Sequence, residues 1–352
     1  MFASPRAISG RAVEAGNSIS KMNTLSKEAR ISPEIASWAE VDEEDADQRI
    51  DNFLVRTLKG VPRSHLYRLL RTGQVRVNSR RVDATYRLQA GDRVRLPPVR
   101  GGRPGLRRTG SGAPQPGRLS ARTLLEDGAL LVIDKPAGVA AHGGSGISRG
   151  VIEQLRDERP DLRFLELAHR LDRDTSGVLL LAKKRSALTH LHAQLRGGEM
   201  RKTYLVLVRG RWVSGTRHVQ LPLSKYVTPD GERRVSVSDA GLPSETVFRR
   251  ALSLRSYTLL EAELLTGRTH QIRVQLAHIG FPIAGDDKYG DFALNKALPR
   301  AGLKRMFLHA VRVQFRHPQT DKTTVVEAPL PADLRGFLDS LEGSSPYPES
   351  DG

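Results

Sequence analysis

From Gln48 onward the chain alternates apolar and polar positions in a readable way. In QRIDNFLVRTLKG, Ile50, Phe53, Leu54 and Leu58 recur at helical spacing, and Gly60 ends the run. Ser64 then stands where an N-cap belongs, ahead of a second helix that carries Leu66, Leu69 and Leu70 and is broken by Gly73. VRVNSRRVDATYRLQAGDRVRLP reads as short strands joined by turns, closing at Pro97–Pro98. These elements predict a small module over residues 45–97. Residues 1–44 show no such period and are expected to form a disordered tail. Residues 98–120 are nearly all Gly, Pro, Arg and Ser, with nothing to bury, and predict a flexible linker.

A larger unit is expected over 121–338, with a polar tail over 339–352. ALLVIDKPAGV predicts a buried strand ending in a turn, and VIEQLRDERP a short helix stopped by Pro160. FLELAHRLD and SGVLLLAKK predict two strands on either side of a tight turn. SALTHLHAQLR predicts an amphipathic helix with Leu188, Leu191 and Leu195 on one stripe. TYLVLVRG and YTLLEAELL add further strands. With no fixed repeat and no strict βαβ rhythm, the fold class is mixed α/β (α+β) with a largely antiparallel sheet.

Charge narrows the partner. The chain carries 56 Lys+Arg against 39 Asp+Glu, a net charge of +17 and a pI near 10.5. Such a surplus favours a polyanion, nucleic acid before a membrane surface. Within the small module, Arg63, Arg68, Arg71, Arg76, Arg80 and Arg81 cluster on the second helix and the strand after it. They form either a phosphate grip or simply a solvated basic face. The absence of cysteine excludes disulfides, thiol nucleophiles and cysteine-bound zinc, and it fits a cytoplasmic setting. No apolar run approaches the length of a membrane span, and MFASPRAISGRAVEAGNSISK lacks the apolar core of a secretory leader. Met22 is a second possible start. A monomer is the default expectation.

Two dense stretches carry the candidate chemistry. In HRLDRDTSG, residues 169–177, four charges sit between apolar runs, where they are costly unless paired or employed. If LELAHRLD is extended, Arg170 and Asp172 share one face, and His169 and Leu171 the other. Asp174, Thr175, Ser176 and Gly177 then form a turn in which Asp174 bonds nearby backbone, leaving Asp172 either in a salt bridge within the turn or free to act. A magnesium site at Asp172 and Asp174 is disfavoured by the flanking arginines, and the histidines show no metal-ligand spacing. The GGSG run at 143–146 is no phosphate-loop fingerprint. The second stretch, LLTGRTHQIRVQLAHIGFPIAGDDKYG, predicts a helix capped by Thr269, striped by Ile272, Leu276 and Ile279, and ended by Gly280 and Pro282. Arg268, His270 and Arg273 fall near its start, where the dipole favours an anion or a buried carboxylate.

HRLDRDTSG resembles the signature of the RluA-type pseudouridine synthases. VIDKPAGV, RKTYLVLVRG, GRTHQIRVQLAHIGFPIAGDDKYG and FLHAVRVQFRHP resemble further motifs of that family, and the basic module resembles an S4 RNA-binding domain. Asp134, before Lys135–Pro136, departs from the asparagine expected there. The resemblance implies a pseudouridine synthase fold with a catalytic cleft, acting on uridines of 23S rRNA without metal or cofactor. It implies that Asp172 is the catalytic carboxylate, that Arg273 pairs with it, and that Tyr204 stacks on the uracil and offers an ionisable hydroxyl. Arg170 would fill the space left by the flipped base. Whether Asp172 attacks C1′, adds to C6 or abstracts the 2′ proton stays open. The alternative is a non-catalytic S4-type RNA-binding or ribosome assembly protein, which would have had no need of Asp172, Tyr204 and Arg273 together. A hydrolase needs a second acid or a metal set, and the sequence supplies neither.

Overall fold

The computed structural model describes residues 36–43, 45–58, 61–98, 117–143, 149–229 and 231–342. The bulk of the expected N-terminal tail, linker and C-terminal tail lies outside them, as do Gly60 and positions 144–146 of the GGSG run. The chain divides into two units, residues 1–107 and 108–352.

In the first unit, β1 (Ser37–Glu40) is followed by α1 (Ile50–Thr57), α2 (Arg63–Arg71), β2 (Arg76–Val77) and β3 (Arg93–Leu96). The three strands form an antiparallel sheet in the order β1-β3-β2. Strand β1 lies in a stretch expected to be tail. Ile50, Phe53, Leu54 and Leu58 are buried together with Leu66, Leu69 and Leu70, as the helical spacing predicts. Ser64 is not the cap: α2 starts at Arg63 after Pro62, whose fixed φ suits a helix entry.

The second unit contains, in order, β4 (Thr123–Glu126), β5 (Leu130–Lys135), α3 (Val151–Glu158), β6 (Glu166–Leu167), β7 (Ser176–Ala182), α4 (Arg185–Gly197), β8 (Arg201–Arg209), β9 (Thr216–Gln220), β10 (Leu223–Val227) and β11 (Arg233–Val237). It continues with β12 (Glu245–Ser253), β13 (Tyr257–Leu264), α5 (Gln271–His278), α6 (Phe292–Asn295), β14 (Leu308–Arg316), β15 (Thr323–Glu327) and α7 (Ala332–Glu342), the last reaching into the expected C-terminal tail. The main sheet runs β4-β5-β7-β14-β8-β13-β12-β9, with β15 beside β14 and β6 beside β7, while β10 and β11 form a separate hairpin. Every pairing in the main sheet is antiparallel except β7–β14.

The inner strands are apolar without alternation because both faces are covered. On β7, Leu179 and Leu181 enter one core while Val178, Leu180 and Ala182 enter the other; on β5, Leu131 and Ile133 oppose Leu130 and Val132. Tyr204, Val206 and Val208 of β8 join the first core, which also holds Leu171 and Ile272. That face of the sheet bears the candidate site.

The parallel seam is short, His309 opposite Ser176 and Ala310 opposite Gly177. Gly177 has a φ of 111°, and a Cβ there would lie 2.2 Å from the Ala310 carbonyl oxygen. Gly177→Ala is therefore expected to lower stability by about 3 kcal/mol or more, through clash and backbone strain combined. An unchanged urea midpoint would contradict this account of the seam.

Candidate active site

The approach to β7 differs from the expected strand. Only Glu166–Leu167 pair with β7, opposite Ala182 and Leu181, and residues 168–172 leave the ladder. The cause lies in the side chains. Ala168 N–H still donates to the Leu180 carbonyl at 2.9 Å, and His169 Nε2 then accepts the Leu180 N–H at 3.2 Å. An imidazole thus takes the place of a backbone acceptor. Burial pushes the His169 pKa down to about 3, so the ring is neutral and available as an acceptor.

Strand alternation therefore does not place Arg170 beside Asp172. What places them is Leu171 between them, 5% exposed and sunk in the core. Both neighbours line one cavity of about 570 Å³, with Arg170 exposed and Asp172 part-buried. The turn that follows is closed by Thr175 N–H donating to the Asp172 carbonyl at 3.2 Å. Asp174 does not bond backbone as expected; it pairs with the Arg173 guanidinium at 3.0 Å. The ion pair within the turn is Arg173–Asp174, and Asp172 is left out of it.

The turn is held from below. Lys135, fully buried at the end of β5, donates to the carbonyls of Pro136, Val139 and Arg173 at 2.8, 2.7 and 3.0 Å. Burial pushes its pKa down to about 7, against the pull of Asp174 and Asp172.

Helix α5 supplies the other half of the site. It begins at Gln271, directly after His270, which adopts a left-handed φ of 54° and takes the N-cap place expected for Thr269. The expected apolar stripe is also incomplete as a description, because Gln271 to Leu276 are all buried. Gln271 Nε2 donates to Thr246 Oγ1 at 2.8 Å, Thr246 donates on to Gln275 Oε1 at 2.6 Å, and Gln275 Nε2 reaches Ser244 Oγ at 2.9 Å. Each buried amide is satisfied across to β12 and the residue before it, so polar side chains can fill a core face.

Arg273, 2% exposed, is gripped by Asp286 through two hydrogen bonds of 2.7 Å, from Nε and one terminal nitrogen. Its other terminal nitrogen points at Asp172 Oδ2, 3.6 Å away. Burial works against the charge on Arg273, but the Asp286 hydrogen bonds outweigh it and hold the guanidinium pKa above its ordinary value. Asp286 is correspondingly held below the usual carboxylate range: burial opposes this, and Arg273 with the Lys288 and Tyr289 amides overcomes it. Nothing in local spacing announced Asp286; its only signal was the acidic pair in GDDKYG.

His270 Nε2 lies 3.9 Å from the same Asp172 oxygen. Its Nδ1 meets Tyr289 Oη at 2.8 Å, and that oxygen already accepts the Val235 N–H at 3.0 Å. A phenol proton donated to Nδ1 satisfies both groups and puts the imidazole proton on Nε2, toward Asp172. Burial lowers the His270 pKa, partly offset by Asp172. Tyr204, buried on β8, completes the wall; burial and the charge of Asp172 raise its pKa, so the phenol stays protonated at neutral pH.

The structure brings Arg170, Asp172, Tyr204 and Arg273 to one cavity. Among the described residues its lining includes a single carboxylate, Asp172, against Arg170, Arg196, Lys202, Arg268 and Arg273. In the first unit, Arg63, Arg68, Arg71, Arg80 and Arg81 are exposed on α2 and around the β2 turn, and Arg76 is half-buried with Nε on the Gly73 carbonyl. Among the described residues no group of acidic, cysteine or histidine side chains fits a metal ion, and no helix is long and apolar enough to cross a membrane.

A largely antiparallel sheet, covered on both faces, thus carries a cationic cavity lined by Asp172, Tyr204 and Arg273. Residues 129–278 match the RNA pseudouridylate synthase family and residues 48–94 the S4 domain; the chain belongs to the RluA-type pseudouridine synthases and is an isomerase. It is 49% identical over 315 residues to the ribosomal large subunit pseudouridine synthase C of Pasteurella multocida, covering 90% of this chain and 97% of that one. It is 51% identical over 303 residues to the protein of the same name from Escherichia coli K12, covering 86% and 95%. The fold is shared with human RNA pseudouridylate synthase domain containing 4, with a TM-score of 0.52, 24% identity, and coverage of 64% of this chain and 94% of that one.

The neutral, buried His169 has a thermodynamic signature. Its pKa falls from 6.5 unfolded to about 3 folded, so the unfolded chain takes up a proton that the folded protein refuses. The stability this contributes is present above pH 6.5 and drains away as pH falls toward 3. His169→Gln is expected to flatten that acid-side decline in a urea titration series; an identical pH slope would remove His169 as its source.

Proposed function

We propose that this enzyme isomerises uridines of 23S rRNA in the large ribosomal subunit to pseudouridine, with Asp172 as the reacting carboxylate, and works as a cytoplasmic monomer. The observation that carries the assignment of Asp172 is its isolation: among the described residues it is the one carboxylate lining the cavity, and its partners come from α5 and the residue that caps it rather than from its own turn. The names of the relatives support the choice of RNA.

The reaction breaks the N1–C1′ bond, turns the uracil and joins C5 to C1′; a proton leaves C5 and N1 gains one, so no net redox change occurs. One carboxylate opens this sequence by attacking C1′, by adding to C6 or by removing the 2′ proton. In each case the Asp172 oxygen beside Arg273 is the working atom. Arg273 and His270 hold that oxygen in place. Tyr204, kept protonated, offers a flat ring to the base and a proton donor at its edge. The base must first leave its stack, at a cost of about a few kcal/mol, and the exposed Arg170 beside Asp172 fills the space it leaves. The S4 module, proposed to span 45–97 and to be joined by a 98–120 linker to a catalytic domain over 121–338, supplies affinity through Arg63, Arg68, Arg71, Arg76, Arg80 and Arg81.

Asp172→Asn is expected to reduce tritium release from 5-tritiated uridine in 23S rRNA to background while leaving RNA affinity within about twofold, since only the reacting oxygen is altered. Wild-type release by that variant would remove Asp172 from the chemistry. Replacing Arg63, Arg68 and Arg71 together by alanine is expected to weaken binding across RNA sequences and to reduce the salt slope by about one for each phosphate no longer neutralised. A slope equal to wild type would exclude α2 from the RNA interface.

A further inference from the structure

Strand β8 sends alternate side chains to opposite faces of the sheet. Lys202 and Tyr204 line the cavity, whereas Arg201 and Thr203 line a separate charged pocket with Glu261, Glu263 and Arg312. Lys202 stands opposite Leu264 of β13, and its ammonium lies against Gly267, where an added Cβ would come 3.4 Å from Nζ. The ammonium therefore sits in the cavity wall, two residues from Tyr204, above the segment that leads into α5.

The other buried cations of this site are answered by protein groups. Arg273 has Asp286, and Lys135 has three carbonyls. Lys202 has no hydrogen bond or ion pair among the described residues, and burial alone shifts it, lowering its pKa with no carboxylate to offset the effect. A half-buried ammonium without a partner is a standing cost to the folded protein. The protein retains it where a ligand can bring the missing negative charge.

We propose that Lys202 binds a backbone phosphate flanking the uridine held in the cavity, a subsite separate from the Asp172–Arg273 centre and resting on the rRNA reading given above. A uracil carbonyl is the weaker partner, because it carries no net charge to answer a compact, strongly hydrated ammonium. The cavity as a whole suits an anion, since Asp172 is its only acidic lining residue among the described residues.

The test uses the full-length enzyme and a 23S rRNA fragment carrying the modified uridine, prepared with a neutral methylphosphonate at either flanking linkage. Lys202→Met is expected to weaken binding of the RNA without methylphosphonate about tenfold and to lower the salt slope by about one. One methylphosphonate should weaken wild-type binding by a similar factor, and on that RNA wild type and Lys202→Met should become equal. Lys202→Arg, which keeps the charge, should recover most of the affinity. The melting temperature of Lys202→Met should equal or exceed that of wild type, because a merely structural lysine would lower it.

The proposal is overturned if Lys202→Met binds like wild type, or if its deficit persists on both methylphosphonate RNAs. It is also overturned if neither methylphosphonate weakens wild-type binding, a measurement that needs no variant at all. Failure of the underlying reading looks different: wild-type enzyme would then release no tritium from 23S rRNA.

Discussion

The guanidinium of Arg273 is the constraint around which the site is built. A charge that deep in a core has to be matched, and a bidentate carboxylate is the match its planar geometry favours. Asp286 provides it, and the amides of Lys288 and Tyr289 fix Asp286 in turn at 2.8 and 3.1 Å. The Tyr289 ring lies 5.2 Å from the guanidinium carbon. Asp287 Oδ1 lies 3.4 Å from the terminal nitrogen that Asp286 already holds, and the other terminal nitrogen faces Asp172. The surroundings of the Asp172 carboxylate are thereby inherited from a packing problem in a different part of the chain.

The same logic runs through the approach to β7. A turn that must present Asp172 to a cavity is held by Leu171 in the core, by the Lys135 ammonium on the Arg173 carbonyl, and by the parallel seam at Gly177. Because the Arg173–Asp174 pair is self-contained, the turn's own charges do not compete for Asp172. His270 adds a neutral donor on the far side, its tautomer set by Tyr289 and, through the Val235 amide, by the β10–β11 hairpin.

Much of this was legible in the sequence where a local rule and a burial pattern coincide. The helical spacing of Ile50, Phe53, Leu54 and Leu58, the continuous apolar run of β7 and the glycine near its start are of that kind. Motif resemblance located Asp172, Tyr204 and Arg273, which the fold assembles from the turn before β7, from β8 and from α5. Two of the departures share a cause, a long-range side-chain bond in place of a local one. Residues 168–172 left the ladder, where the His169 ring stands in for a backbone acceptor. Helix α5 lost its stripe because Gln271 and Gln275 found partners around β12. Thr269 yielded the cap to a histidine in a left-handed conformation. Asp286 and Lys202 could not be ranked from spacing, since one matters for the partner it has and the other for the partner it lacks.

Leu171 shows how far the core intrudes on the chemistry. It contributes no polar side-chain atom, yet it lies between two side chains that line the cavity, Arg170 and Asp172. The hydrophobic core and the cavity lining therefore meet within a single tripeptide, so transplanting this cavity to another scaffold would require transplanting the hydrophobic socket beneath it.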